Sequence, residues 1–359
     1  MSNNLTQFDH YLADNGPAAL VVREHLMPVE GADAIFFPAT YVEIGYNIDG
    51  GDRTKDPSAQ NIALVDSVGS QANRIEPLFT ESPLDALVPQ IVIKAGEKSV
   101  NLLNVGHRAG DALVRCSGLK DVLQDAFKAI LNGNALPLAR IAPTSLVFGV
   151  WDSRDSQAKL PRLITSTVRA YNVRKLTRSA VYSAPVDYVK EGVISEEDAA
   201  KAEGQAKNPL SSTGFVNAIA NSTHGGVVAE GGIRRDATLA LSALKFLKAD
   251  NDENTKKLRR YILGLALAVF TRLPLGYYRQ GTILVLATDE RGKPLPRKFD
   301  EVSTNGTRTD ASAKINEAIA LTYAQATAAD FGVGNGREVE FDDKKAKAAI
   351  AEAKKKKQK

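Results

Sequence analysis

The sequence predicts an α+β protein rather than a doubly wound parallel sheet. Three observations carry that expectation. Strand-like and helix-like segments alternate irregularly, long polar insertions separate them, and no internal repeat imposes a period on the chain. With 359 residues, 43% of them hydrophobic, the chain can bury a real core in one large domain or two.

Residues 35–44 hold Phe36, Phe37, Tyr41, Val42 and Ile44 and read as the first strand despite Pro38. A polar loop rich in Gly and Asp follows over 47–61. Residues 64–76 form a short helix, since Pro77 disfavours helical backbone at Glu76. A strand is expected over 88–95 and a helix over 107–116. Another helix spans 120–131 and stops at Asn132-Gly133, a pair suited to a left-handed cap. Two β-rich runs cover 145–151 and 163–173, and a charged surface helix covers 195–206 within an insertion. Residues 224–232 contain four glycines. Helices over 236–248 and 254–272, a strand over 282–288 and a helix over 311–328 complete the body. The tail 344–359 fits a frayed helix or disorder.

The formal charge of +4 conceals an asymmetry. Residues 344–359 carry eight Lys and one Glu, and the rest of the chain sits near −3. Binding to nucleic acid must therefore come from a local patch. The single cysteine, Cys116, excludes an internal disulfide and a cysteine-based zinc site, and it shares an apolar helical face with Ala109, Ala112 and Leu113. Residues 1–9 lack the basic start and apolar run of a signal peptide. The most apolar stretch, 261–270, is too short for a bilayer and reads as a core helix. The expectation is a cytoplasmic protein with no membrane partner.

The most informative segment is the short helix at 64–76. At 100° per residue, Ser67, Ser70, Gln71 and Arg74 share one sector, while Val68, Ala72, Ile75 and Phe79 fall on the neighbouring one. Hydroxyls, an amide and a guanidinium on one face suit phosphates, sugars and base edges. Equally, Ser67 is a natural N-cap and Arg74 can pair with a local acid.

This segment, Leu64-Val65-Asp66-Ser67-Val68-Gly69-Ser70-Gln71-Ala72-Asn73-Arg74-Ile75-Glu76, resembles the signature of the Cas-seven-type RAMP backbone subunit of type I-G (formerly I-U) CRISPR complexes. Two further blocks match in the family's order: His107-Arg108-Ala109-Gly110-Asp111-Ala112-Leu113, and Phe148-Gly149-Val150-Trp151-Asp152-Ser153 followed by Lys159-Leu160-Pro161-Arg162 and residues 166–173. The resemblance implies a ferredoxin-like, RNA-recognition-type palm with finger and thumb insertions. It implies a single domain over 1–340, thumb or insertion elements at about 176–235, and a Lys-rich tail over 341–359. It implies an antiviral-defence function in which copies of the subunit line up along the spacer of a CRISPR RNA and present it to target DNA. The implied partners are the guide RNA, target DNA, further copies in a helical filament, the large and guide-processing subunits, and a recruited nuclease-helicase that does the cutting.

Candidate RNA-binding residues follow from both readings: Ser70, Gln71, Asn73, Arg74, His107, Arg108, Arg154, Lys159, Arg162, Ser166, Arg169 and Arg174. The stretch 154–178 is the strongest electrostatic feature, with seven basic residues against Asp155 alone. Thr167 and Asn172 offer sugar contacts there, and Tyr171, Tyr182 and Tyr188 offer stacking surfaces. On the 107–116 helix, Asp111 and Arg115 are spaced as an i,i+4 pair. The glycines before Arg234-Arg235 either admit an anion to the backbone or simply form a loop. Lys256, Lys257, Arg259 and Arg260 read as a helix surface.

Catalysis finds little support. His10, His25, His107 and His224 have no metal-ligand spacing, and no nucleophile elbow occurs. The expectation is a binder without catalytic residues, metal or cofactor. Asp49, Asp52 and Asp56 are the alternative, an Asp-bearing loop of a RAMP endoribonuclease, although turn-forming aspartates need no catalytic reason. A single-stranded RNA-binding protein unrelated to CRISPR is a further alternative.

Overall fold

The sheet is built around β1 (Ala19–Pro28), a strand that the sequence pattern does not announce. Its alternation is clean: Leu20, Val22 and Leu26 are buried while Arg23 and His25 face out. Arg23-Glu24-His25 interrupts the apolar run and masks the strand. The computed structural model describes residues 2–202, 208–273 and 276–357.

β2 (Asn61–Asp66) leads into α1 (Val68–Ile75), and β3 (Ile164–Tyr171) follows after a helix-rich stretch. β4 (Val173–Tyr182) and β5 (Ala218–Ala229) pair with each other, and β5 takes one further bridge from Phe36 at Val227. β6 (Ile233–Ala240) returns to the sheet. After it come α2 (Asp252–Phe270), β7 (Thr282–Leu286), β8 (Lys298–Val302) and α3 (Glu317–Phe331). The sheet runs β7-β1-β6-β3-β2, antiparallel throughout, and β8 pairs with the first half of β1. Taken in chain order, β1, β3, β6 and β7 form a 4-1-3-2 sheet, with a helical segment before β3 and α2 before β7. That is the ferredoxin-like arrangement. The fold is the expected α+β palm.

Beyond Val173 the residues of β4 are almost all exposed, so β4 and β5 leave the sheet as a two-stranded ribbon growing out of the β3–β6 hairpin. Two register shifts interrupt its pairing. The helices cover one face of the sheet. From Tyr261 to Phe270, α2 is wholly buried, as its apolar composition predicts. It packs on α3 at Gly264, where a Cβ would lie 2.4 Å from the Thr327 hydroxyl, so the glycine sets the helix spacing. A large core joins α2 to Leu20, Val22, Ile164 and Leu239. A smaller one, with Leu26, Phe36, Val65, Val168 and Leu284, fills the other end of the strands.

Several elements differ from expectation. Residues 35–44 are not a strand: Phe36 makes one bridge to Val227, and only Thr40–Tyr41 pairs, with Gly45–Tyr46. Pro38 has no N–H to offer a ladder there, and Glu43 adopts φ 69°. Of the helix expected over 236–248, only Leu241–Leu244 is helical; residues 236–240 belong to β6, because Ile233, Arg235, Ala237 and Leu239 alternate inward between β1 and β3. Residues 107–116 break into a 3₁₀ turn at Arg108–Gly110 and a single helical turn at Ala112–Arg115. The β-rich run at 145–151 is helical over Thr144–Phe148. The helix expected at 195–206 covers Glu196–Ala202, and 203–206 lies outside the described residues. The tail is a helix, Asp343–Lys357. Among the described residues no helix is long and apolar enough to cross a membrane.

Candidate nucleic-acid interface

Ser67 caps α1 by accepting from the Ser70 N–H at 3.3 Å. The polar sector of α1 then turns inward onto Asp66, which is 1% exposed. Asp66 accepts from the Ser70 hydroxyl at 2.7 Å, the Gln71 amide at 2.6 Å and Arg74 Nε at 3.2 Å, and Arg279 stands 3.6 Å away. Arg74 also donates to the Tyr278 carbonyl at 2.6 Å and lies over the Tyr278 ring.

This hub is one end of a buried polar stripe across the inner face of the sheet. The Gln71 side-chain oxygen accepts from Ser166 Oγ at 2.8 Å, and Ser166 accepts from Arg235. Arg235 pairs with Glu24, and Glu24 takes Arg297 at 2.5 Å on its other oxygen. Glu24 and Arg235 are register partners on β1 and β6. Four arginines and two carboxylates thus separate the two apolar cores. Gln71 and Ser166, expected from the sequence to contact RNA, are buried struts of this stripe. A group that spends its donors and acceptors on neighbours is not free to meet a phosphate.

Arg108 is likewise interior. It is 4% exposed, pairs with Glu76 at 2.5 Å and lies over the Phe148 ring. Its backbone sits at φ 54°, a conformation held by that burial. Burial pushes the Glu76 carboxyl up to about 7 against the opposing pull of Arg108. Asp111 pairs with His107 at 3.2 Å and caps the following turn, rather than pairing with Arg115.

Around these buried anchors the motif blocks share one surface. Gly106 lies against Asn73, and Gly110 against the Trp151 backbone. Arg162 donates to the Phe148 carbonyl at 3.1 Å, and its guanidinium is held below its ordinary value, first by partial burial and then by nearby Arg108. Lys159 stands 5.5 Å from the Trp151 ring. Asn73, His107, Trp151, Lys159 and Arg162 remain exposed, as does Arg154 on the loop closed by Asp152. These groups can reach a phosphate backbone.

The charged run 154–178 does not form one patch. Arg169 points to the outer, helix-free face of the sheet, opposite Ser166, and donates to Thr167 at 2.6 Å. In register with it are Arg234 and then His25, while Arg23 and Lys298 pair one step along. Arg234 stacks on Tyr171. Sequence reasoning missed Arg23, His25, Arg234 and Lys298 as members of one surface; the inside-outside alternation of 19–28 and 233–240 was the available signal. Arg174 lies at the root of the ribbon, sharing Glu230 with Arg53. Tyr188 packs on Phe215, and the Tyr182 hydroxyl donates to the Gly214 carbonyl.

Residues 20–175 match the family model of the CRISPR-associated protein GSU0053. The match marks a CRISPR-associated protein, consistent with a RAMP-type subunit. Its span runs from β1 to the start of β4 and contains all three motif blocks. No curated protein matches the chain.

The remaining sequence candidates take structural places. Asp52 and Asp56 each accept from a backbone N–H and a hydroxyl two residues on, closing turns, and those bonds lower both carboxyls. Asp49 lies on the short edge strand beside β2. Among the described residues no three His, Cys, Asp or Glu side chains gather as a metal site. Gly226 lies inside β5, where a Cβ would strike Ile35, so its role is close packing rather than anion approach. Arg260 pairs with Asp9, Lys257 with Glu253, and Arg259 caps carbonyls of Lys245 and Leu247. Cys116 is buried and free.

Proposed function

We propose that this protein is a non-catalytic backbone subunit of a type I-G CRISPR effector that holds guide RNA and presents it for pairing with target DNA. The observation that carries the reading is the convergence of the three motif blocks: Asn73, His107, Trp151, Lys159 and Arg162 come from three distant segments and lie exposed around a buried Glu76–Arg108 anchor. The open outer face with Arg23, Arg169 and Arg234 offers a second basic surface. Both are suited to backbone and sugar rather than to base-specific readout, so sequence is left to base pairing. The ribbon supports a contact with a neighbouring copy, and a repeated heterologous contact that does not close builds a filament.

The deciding experiment reconstitutes the full chain on guides of increasing length and weighs the complexes. Mass is expected to climb in subunit-sized steps, with affinities similar for unrelated guide sequences and falling steeply with salt. A fixed stoichiometry at every guide length would refute the filament reading. Affinities differing by orders of magnitude between guides at one salt concentration would refute backbone recognition.

A further inference from the structure

A groove of about 750 Å³ lies between the tail helix, Asp343–Lys357, and the segment 112–120. The root of the helix is fixed: Phe341 bridges to Ser117, and the Asp342 N–H donates to the Cys116 carbonyl at 2.6 Å. Beyond it the helix stands off the body, and every residue from Lys347 to Glu352 is exposed. Ala346, Ala349 and Ile350 face Leu113 and Cys116 across the opening, and Ile350 is 56% exposed. Arg115, Lys120, Arg154 and Lys345 also line the groove, against Asp155 and Glu352, and none of the four basic residues has an ion pair among the described residues.

The far end of the β4–β5 ribbon carries the opposite charge. Residues 183–202 hold Asp187, Glu191, Glu196, Glu197 and Asp198 against Lys190 and Lys201, a net charge of −3. This tip is a folded lobe: Tyr188 packs edge-on against Phe215, and the Ser211 hydroxyl donates to the Ala202 carbonyl at 2.8 Å. Val186 and Val193 are nonetheless 44% and 58% exposed, and Glu191 and Glu196 have no ion pair among the described residues. The ribbon is therefore bipolar, with Arg174, Lys175 and Arg178 near its root and acid at its tip.

We propose that the acidic tip of one copy docks in the tail-helix groove of the next, a deepening that rests on the filament reading above. Charge decides what the tip meets. A net −3 lobe is repelled by a phosphate backbone, so its partner is a basic protein surface. Chemistry decides what the groove takes. Its apolar walls would desolvate a phosphate without pairing it, whereas Val186 and Val193 match Leu113, Ala349 and Ile350, and Glu191 and Glu196 match the basic residues beside them. No tip residue lines the groove of its own chain, so the groove stays open to a second copy. Strands of ten residues carry the tip about 30 Å from the palm, far enough to leave its own body. Tip and groove are different surfaces of one chain, so the contact is heterologous and repeats from copy to copy.

The test is a charge swap in the full chain. Glu191→Lys with Glu196→Lys reverses the tip, and Lys120→Glu with Lys345→Glu reverses the groove. Each pair alone is expected to abolish the stepwise rise in mass on long guides, and the chain carrying all four substitutions to regain it. Either pair stacking like the parent would overturn the proposal. Loss in the groove variant without recovery in the four-fold variant would also overturn it, in favour of nucleic acid in the groove. A second measurement needs no RNA. Val193→Cys and Ala349→Cys, each in a Cys116→Ala background, are mixed with a short bismaleimide. A two-chain product is expected from the mixture, absent from either variant alone and suppressed by salt. No product in the mixture would overturn the docking. A product together with a fixed stoichiometry of the parent on every guide would count against the filament reading alone.

Discussion

Arg235 faces the helices at 3% exposure, its charge held against Glu24, whereas Arg234, one residue earlier on β6, faces solvent, lies over Tyr171 and pairs with half-exposed Asp236 at 2.8 Å. The same contrast repeats on β3, where Ser166 is locked into the inner stripe and Arg169 stands on the outer face. Polar residues on the inner face answer to one another and fix where α1 and the strands sit. Polar residues on the outer face have exchangeable partners and can trade them for phosphate. Basic residues in a run are therefore not equivalent; the period of the strand sorts them into architecture and interface.

The sharpest way to break this contrast is to remove the acid at its inner end. Glu24→Ala leaves Arg235 and Arg297 beside each other with no counter-charge, and an uncompensated buried charge costs about 3–5 kcal/mol. The denaturation midpoint should fall accordingly. A variant as stable as the parent would show that the inner stripe is not a structural device.

The Glu76–Arg108 pair sharpens the comparison through pH. Burial raises the Glu76 carboxyl from 4.5 to about 7 in the folded chain. Between those values the folded state holds a proton that the unfolded state has released, so stability falls as pH rises from about 4.5 to about 7. Each tenfold difference in proton affinity between the two states is worth about 1.4 kcal/mol, so the full effect is about 3 kcal/mol. Denaturation midpoints across that window should show the decline, and Glu76→Gln, which cannot ionise, should flatten it. An equal slope in the variant would assign the pH dependence to other groups.

Much of this was readable from the chain, and the failures share a cause. The Ser67 cap, the core helix through Tyr261–Phe270 and the buried Cys116 follow from local pattern, which tertiary contacts here reinforce. β1 and β6 were missed because each carries charge at its inward positions, Glu24 and Arg235, which looks like a break in an apolar strand until the two are seen as partners. Such cross-strand pairing joins residues more than 200 apart and leaves no local trace. The polar sector of α1 was correctly found, but its direction was not legible. Asp66 had to be recognised as the acid that turns Ser70, Gln71 and Arg74 inward. Asn73, one position off that sector, is the part of the helix left open to solvent.

The smallest effect on stability, and the most direct probe of function, comes from the outer face. Arg169→Ala combined with Arg234→Ala removes two side chains whose partners are the buried Thr167 and the half-buried Tyr171 and Asp236. Each substitution is expected to cost within about 0.5 kcal/mol of folding stability. If both arginines contact the guide backbone, RNA affinity should drop alike for all sequences, and the slope of log affinity against log salt should become shallower by about one for each lost phosphate contact. Filter binding of one guide at four or five salt concentrations reads both quantities. A double variant that unfolds like Glu24→Ala would place these arginines with the inner stripe and erase the distinction between the faces. A folded variant with an unchanged affinity and an unchanged salt slope would keep the distinction but confine guide binding to the surface around Asn73, His107, Lys159 and Arg162.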